Sequence, residues 1–197
     1  MDFLKNSARW TFRPFGVASL AFLATSSMGG AYLYALQYKG NTHAVVHGEV
    51  YRSNQPDAAR IAAMKKLYGI RTIINLRGPE PGIRWYDEEI AAARALGIQH
   101  VDFTMSASRP LTREQSRQLI ALMRDAPKPL LIHCKSGSDR TGLAAALYVA
   151  AIAKGGEAQA EGQLSVVYGH FGFPLLPAYA MEQSFETMEE ELGFHGS

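Results

Sequence analysis

Leu130-Leu131-Ile132-His133-Cys134-Lys135-Ser136-Gly137-Ser138-Asp139-Arg140-Thr141-Gly142 is the stretch on which the fold turns. The apolar run from Pro129 to Ile132 predicts a buried strand, and an alanine- and leucine-rich helix is predicted from Thr141 onward. Between them a short loop joins Cys134 to Arg140 with the spacing Cys-x5-Arg. In such a strand-loop-helix unit the loop N–H groups and the helix N-terminus converge on one point and make an anion site. A thiolate at the start of the loop is stabilised by the same dipoles. Arg140 returns to that point with a planar fork that fits two phosphate oxygens. A nucleophile facing a phosphate cradle implies phosphoryl transfer through a cysteinyl-phosphate.

The segment His-Cys-x5-Arg-Thr-Gly, here HCKSGSDRTG, resembles the signature of the cysteine-dependent protein tyrosine and dual-specificity phosphatases. Upstream, Tyr51-Arg52-Ser53-Asn54-Gln55-Pro56 is similar to the opening of the plant and fungal atypical dual-specificity phosphatases and their bacterial relatives. The resemblance runs from about Gly48 to Gly172. It implies Cys134 as nucleophile, with Arg140 and the loop from Lys135 through Ser136, Gly137, Ser138 and Asp139 to Thr141 as the phosphate cradle. It also implies that Thr141 gives its hydroxyl to the Cys134 sulfur, and it calls for neither metal nor cofactor. For Arg52, a carbonyl clamp or an ion pair at the strand end is expected ahead of any contact with substrate.

Both chemical steps need a carboxyl group, first as acid for the leaving oxygen and then as base for water. In the common dual-specificity pattern it is an aspartate on a separate loop upstream of the cysteine, and Asp102 sits at that distance. The loop proper, Met105 to Pro110, carries no carboxylate. Asp139, directly before Arg140, is the other candidate, since some lipid and tyrosine phosphatases of the superfamily have Asp-Arg there. Repulsion from a bound phosphate favours its protonated form, as a proton donor requires. Glu114 is a third carboxylate in the region.

Working outward, strands and helices alternate. A first strand is predicted around Val45-Val46 and Val50-Tyr51, then a helix from about Asp57 to Tyr68 and a strand from Thr72 to Leu76. A helix from about Arg84 to Leu96 follows, with Trp85, Ile90, Ala93 and Leu96 on its apolar face, and then a strand from Ile98 to Phe103. Thr112-Arg113-Glu114-Gln115 has the form of a capping box for a helix ending near Asp125. Two further helices are predicted, Glu157 to Tyr168 and Ala178 to Leu192. The predicted class is therefore α/β, a mostly parallel central sheet flanked by helices. In such sheets ligands sit at the carboxyl ends of the strands, so Arg77, residues 102–109 and the Cys134 loop should share one rim. His43 and His47 lie in an extended context without further ligands at metal spacing.

The first residues carry Lys5, Arg9 and Arg13 against Asp2, and from Pro14 to Tyr38 there is no charged side chain. Roughly 20 apolar residues span a bilayer as a helix. One membrane-spanning helix over residues 15–38 is thus expected, dividing the chain into an anchor, 1–39, and a phosphatase domain, 40–197. Positive charge ahead of the segment places the domain outside the cytoplasm, in the periplasm of a bacterium. Secretion after cleavage near Ala24 and Ser26 is the alternative.

A net charge of +2 across 197 residues gives no reason to expect nucleic-acid binding, and a single cysteine forbids an internal disulfide. The expected partner is a phosphorylated protein, inositol phosphate or lipid. A phosphate-binding pseudophosphatase and an enzyme directed to inositol phosphates or phospholipids are the alternatives. A rhodanese-like sulfur transferase also uses a loop cysteine, but its usual loop lacks the Arg-Thr-Gly that follows here.

Overall fold

The computed structural model describes residues 14–194. In chain order its elements are α1 (Pro14–Tyr38), β1 (His43–Val46), β2 (Val50–Ser53), α2 (Ala58–Tyr68), β3 (Thr72–Asn75), α3 (Arg84–Ala95) and β4 (Gln99–Asp102). They continue with α4 (Arg113–Asp125), β5 (Leu130–His133), α5 (Asp139–Leu147), α6 (Glu157–Glu161) and α7 (Ala180–Leu192). The expected α/β architecture is present. The sheet order is β1-β2-β5-β3-β4, in which β2, β5, β3 and β4 run parallel and only the edge strand β1 is antiparallel.

The signature strand β5 is central and wholly buried, which is why Leu130, Leu131 and Ile132 read as an unbroken apolar run rather than an alternation. One core lies on the face where Leu143, Leu147, Leu119, Met123 and Phe185 pack against Val50, Ile74 and Ile132. The other face buries Ile61, Met64 and Ile98 against Tyr51, Ile73 and Leu131. Helix α5 is buried along Thr141–Leu147, and it passes into a π-helical turn, Tyr148–Ile152, where the Tyr148 hydroxyl donates to Glu49.

The capping box on α4 is formed, with Thr112 and Gln115 bonding reciprocally. The single strand expected around residues 45–51 is instead a hairpin turning at Gly48, whose φ of 78° demands glycine. The helix expected over 157–168 stops at Glu161, and Val166–Tyr168 form a separate 3-10 turn. On α3 the buried residues are Tyr86, Glu89 and Ala93, while Trp85, expected on the apolar face, is only half-buried under the Arg77 guanidinium, 3.5 Å away.

The expected membrane-spanning helix is not supported. A helix does run over Pro14–Tyr38, yet no helix among the described residues is long and apolar enough to cross a membrane. Thr25, Ser26, Ser27, Gly29, Gly30 and Gln37 dilute its apolar content. The chain divides between Ala35 and Leu36 into two compact units. Leu36 is buried within the larger unit.

Candidate active site

Ser53, His133, Asn75 and Asp102 lie in register across the last rung of the parallel strands. The loops that follow these strands therefore open on one rim, as expected for Arg77, Asp102 and the Cys134 loop. Cys134, directly after β5, is almost fully buried, and the Gly137 N–H donates to its sulfur at 3.2 Å.

The loop from Lys135 to Ser138 is held by its carbonyls. Lys135 O accepts from the Gln55 N–H at 3.3 Å, and Ser136 O accepts from Gln37 Nε2 at 2.9 Å and Asn41 Nδ2 at 3.0 Å. Gly137 O and Ser138 O both accept from Arg52 Nη2, at 2.9 and 3.3 Å. A trans peptide is planar, so a carbonyl held on one side turns the next residue's N–H to the other. The Ser136 carbonyl, held from outside the loop, thus turns the Gly137 N–H to the sulfur. Gly137 has φ +73°, and a Cβ there would meet the Ser53 and Asn54 backbone at 2.7 Å, so the loop seats on the end of β2 only with glycine.

Arg52 is the carbonyl clamp that its position suggests. It is fully buried, its Nη1 donates to Gln163 O and Oε1, and its guanidinium lies 3.9 Å from the Tyr168 ring. Burial pulls its pKa down to about 10, against the opposing pull of Tyr168 and Cys134, so it remains a cation at neutral pH.

Arg140 and Thr141 stand on the first turn of α5. Arg140 Nη1 makes only long contacts, to Leu76 O at 3.5 Å and Met105 O at 3.4 Å. Arg140 Nε and Thr141 Oγ1 are buried without a protein partner. The expected bond from Thr141 to the Cys134 sulfur is therefore not made. Lys135 is exposed, Ser138 is buried, and Ser136 Oγ accepts from the Ser138 N–H at 3.4 Å.

The two aspartates differ in their surroundings. Both Asp102 oxygens are occupied, Oδ1 by Asn75 Nδ2 at 2.8 Å and Oδ2 by the Tyr86 hydroxyl at 2.6 Å, which pushes Tyr86 up to about 12. Asp139 instead lies in the wall of a cavity of about 370 Å³, with Ser108 its only other polar-side-chain neighbour there. The remaining lining is Ala107, Gly169, Phe171, Leu176, Pro177 and Ala178. Asp139 Oδ1 accepts from His170 Nδ1 at 2.7 Å, and His170 Nε2 reaches Glu182 Oε1 at 3.2 Å. Burial lowers the His170 pKa, but the bonds to Asp139 and Glu182 outweigh it and raise it to about 9, so the ring is an imidazolium.

His133 is held by Glu89, a residue of α3 that the sequence pattern does not single out. Glu89 Oε1 meets His133 Nε2 at 3.1 Å and His100 Nε2 at 2.6 Å. Burial works against its charge, yet these two bonds hold its pKa at about 2. Gln55 joins the other Glu89 oxygen to Arg77, from which Gln55 Oε1 accepts at 2.9 Å. Glu114 lies on the exposed surface of α4 and pairs with Arg117 and Gln118, which removes it as an acid. His170 is the other unforeseen residue; a histidine between two glycines, Gly169 and the later Gly172, is the signal that was there to read.

The chain is similar in fold to several solved structures. TpbA of P. aeruginosa superposes with a TM-score of 0.56 at 22% identity, over 80% of this chain and 92% of that one. The core catalytic domain of the PP-IP phosphatase SIW14 of S. cerevisiae, in complex with citrate, gives 0.60 at 19% identity, over 78% and 88%. PTPMT1 in complex with PI(5)P gives 0.56 at 14% identity, over 76% and 97%. No curated protein matches the sequence significantly. Residues 28–155, most of the chain and all of the signature, match the tyrosine phosphatase family, and the chain belongs to that family of cysteine-dependent phosphatases.

Proposed function

We propose that the chain hydrolyses phosphomonoesters whose leaving group has an apolar body, an aryl phosphate such as phosphotyrosine being the type. Cys134 Sγ attacks phosphorus and the ester P–O bond breaks as the S–P bond forms. The N–H groups of residues 136–139 and the Arg140 guanidinium carry the charge of the phosphoryl oxygens in the transition state. Water then attacks the cysteinyl-phosphate, releasing phosphate and the thiolate. The observation that carries this reading is the pair of buried donors without protein acceptors, Arg140 Nε and Thr141 Oγ1, on the helix end that faces the cysteine loop.

Asp139 serves as the acid and base in this proposal, since Asp102 has both oxygens occupied. Asp139 and His170 share one transferable proton, held on His170 Nδ1 before substrate enters. A phosphate dianion next to Asp139 raises the cost of its negative charge and draws the proton onto the carboxyl, which turns to the leaving oxygen. In the second step Asp139 takes a proton from the attacking water and the pair is restored.

The leaving group occupies the cavity beside Asp139. Phe171, Leu176 and Pro177 supply apolar surface and the lining holds no cation. That composition favours an aryl group over a second phosphate, and a Cys-to-Ser form of the similar TpbA is in complex with pTyr. For location, the charges at Lys5, Arg9 and Arg13 ahead of an uncharged segment support export of the catalytic unit from the cytoplasm; a reporter fusion after residue 40 active only inside the cell would overturn this.

Cys134→Ser tests the mechanism. Turnover of p-nitrophenyl phosphate should vanish while phosphotyrosine still binds. Turnover retained in that variant removes the mechanism.

A further inference from the structure

The Ser136–Gly137 peptide is the one whose N–H meets the Cys134 sulfur, and its carbonyl is held by two side chains that precede β1. Gln37 Nε2 and Asn41 Nδ2 both donate to Ser136 O. The peptide is planar, so these two bonds on the oxygen set the direction of the Gly137 N–H on the far side. We infer that Gln37, at the end of α1, is a positioning residue for the nucleophile: it orients the amide that stabilises the Cys134 thiolate.

The Gln37 amide is itself oriented, and each link can be assigned from donor and acceptor types. Arg60 has only donors, and its Nη1 lies 2.7 Å from Asn54 Oδ1, so Asn54 must present its NH2 group elsewhere. That group donates to Gln37 O at 3.0 Å and to Gln37 Oε1 at 3.2 Å. The Gln37 NH2 is left to face Ser136 O. The chain of bonds thus runs from a fixed cation, Arg60, through Asn54 and Gln37 to the catalytic loop.

The backbone places Gln37 for this task. Helix α1 ends in a Schellman arrangement, with the Asn41 N–H bonded to Leu36 O at 2.8 Å and the Gly40 N–H to Gln37 O at 3.0 Å. Gly40 has φ +87°, and a Cβ there would run into the Arg60 guanidinium. The turn brings Asn41, buried and also donating to Tyr168 O, to the same carbonyl. Cleavage near Ala24 and Ser26 would leave every member of this chain in place.

The inference rests on Cys134 as the nucleophile, and its test reads the sulfur directly so that the two can fail separately. In the full chain, Gln37→Glu keeps the shape of the side chain and its acceptor for Asn54 but cannot donate to Ser136 O. The rate of Cys134 alkylation by iodoacetamide at neutral pH and kcat/KM for p-nitrophenyl phosphate should both fall about tenfold, as for a lost bond that acts on a charged group. Asn54→Asp, one link back, should give a smaller loss in the same direction and serves if Gln37→Glu folds poorly. A variant with an unchanged melting temperature and an unchanged alkylation rate overturns the inference. So does a loss of turnover with no change in alkylation, which would assign Gln37 to another step.

Discussion

The His170 imidazolium stands 2.7 Å from Asp139 Oδ1, and Glu182 holds the far side of the same ring. This relation separates the two candidate acids by experiment. Asp139→Asn should cut kcat by about 10²–10⁴-fold for a poor leaving group such as phenyl phosphate. It should do far less with a good leaving group that departs without a proton. Asp102→Asn should lower stability, and whatever loss of rate follows should not depend on the leaving group. A leaving-group series on both variants decides it, and the reverse pattern would return the acid role to Asp102.

His170 also makes stability depend on pH. Its pKa rises from 6.5 to about 9 on folding, because Asp139 and Glu182 face it from α5 and α7. Below about 6.5 the ring is protonated in both the folded and unfolded chain, and the pair contributes in full. As pH rises through about 9 the folded ring loses its proton and the contribution disappears. Urea midpoints should therefore decline between those values for the wild type. The decline should flatten in His170→Gln.

Arg52→Ala should abolish turnover without removing any group that touches phosphate. It strips donors from Gly137 O and Gln163 O, each of which, left unpaired, costs about 1–3 kcal/mol, while Ser138 O keeps only the Gly142 N–H. Arg52→Lys should restore part of the stability but little of the rate, since one ammonium cannot reproduce the fork that serves both loop carbonyls and Gln163. Melting curves together with phosphate affinity check both parts.

Glu89→Ala should destabilise the chain by about 3–5 kcal/mol, the usual cost of removing one member of a buried charged network. His133 and His100 both lose their acceptor. If His133 only orders the loop, Glu89→Gln should recover most of the stability. Loss of rate in that variant should then be modest, and chemical denaturation with turnover measures both.

Leu176→Asp and Phe171→Asp should raise KM for aryl phosphates and leave KM for a small alkyl phosphate nearly unchanged. Both side chains line the cavity next to Asp139, and a carboxylate there opposes an apolar leaving group. An equal rise for both substrates would mean that the leaving group lies elsewhere.

Much of the site was legible because its parts are close in sequence. Strand, loop and helix from Leu130 to Leu147 follow from local pattern, and so does the capping box at Thr112. The shared rim followed from the parallel alternation of strands and helices. Arg52 as a clamp was legible from its place at a strand end. What stayed hidden depends on partners distant in the chain. Glu89 lies 44 residues before His133, and Asp139 lies 31 before His170. No periodicity carries such pairings. The hairpin at Gly48 was missed because one glycine between valines does not distinguish a turn from an extended run. The spanning helix was expected from the absence of charge over 14–38, whereas no helix among the described residues is long and apolar enough to cross a membrane.

The parallel sheet has two rims, and the reacting groups use only one. The other carries the hairpin at Gly48, the turn through Gly69 into β3, the turn at Gly97 before β4, and the Ala126–Pro129 approach to β5. No residue assigned a part in turnover lies there. A fluorophore, an affinity peptide or a surface linkage attached at that end would leave the cysteine, its cradle and the aryl cavity facing freely away from the attachment. The same polarity lets the enzyme be immobilised with its mouth outward.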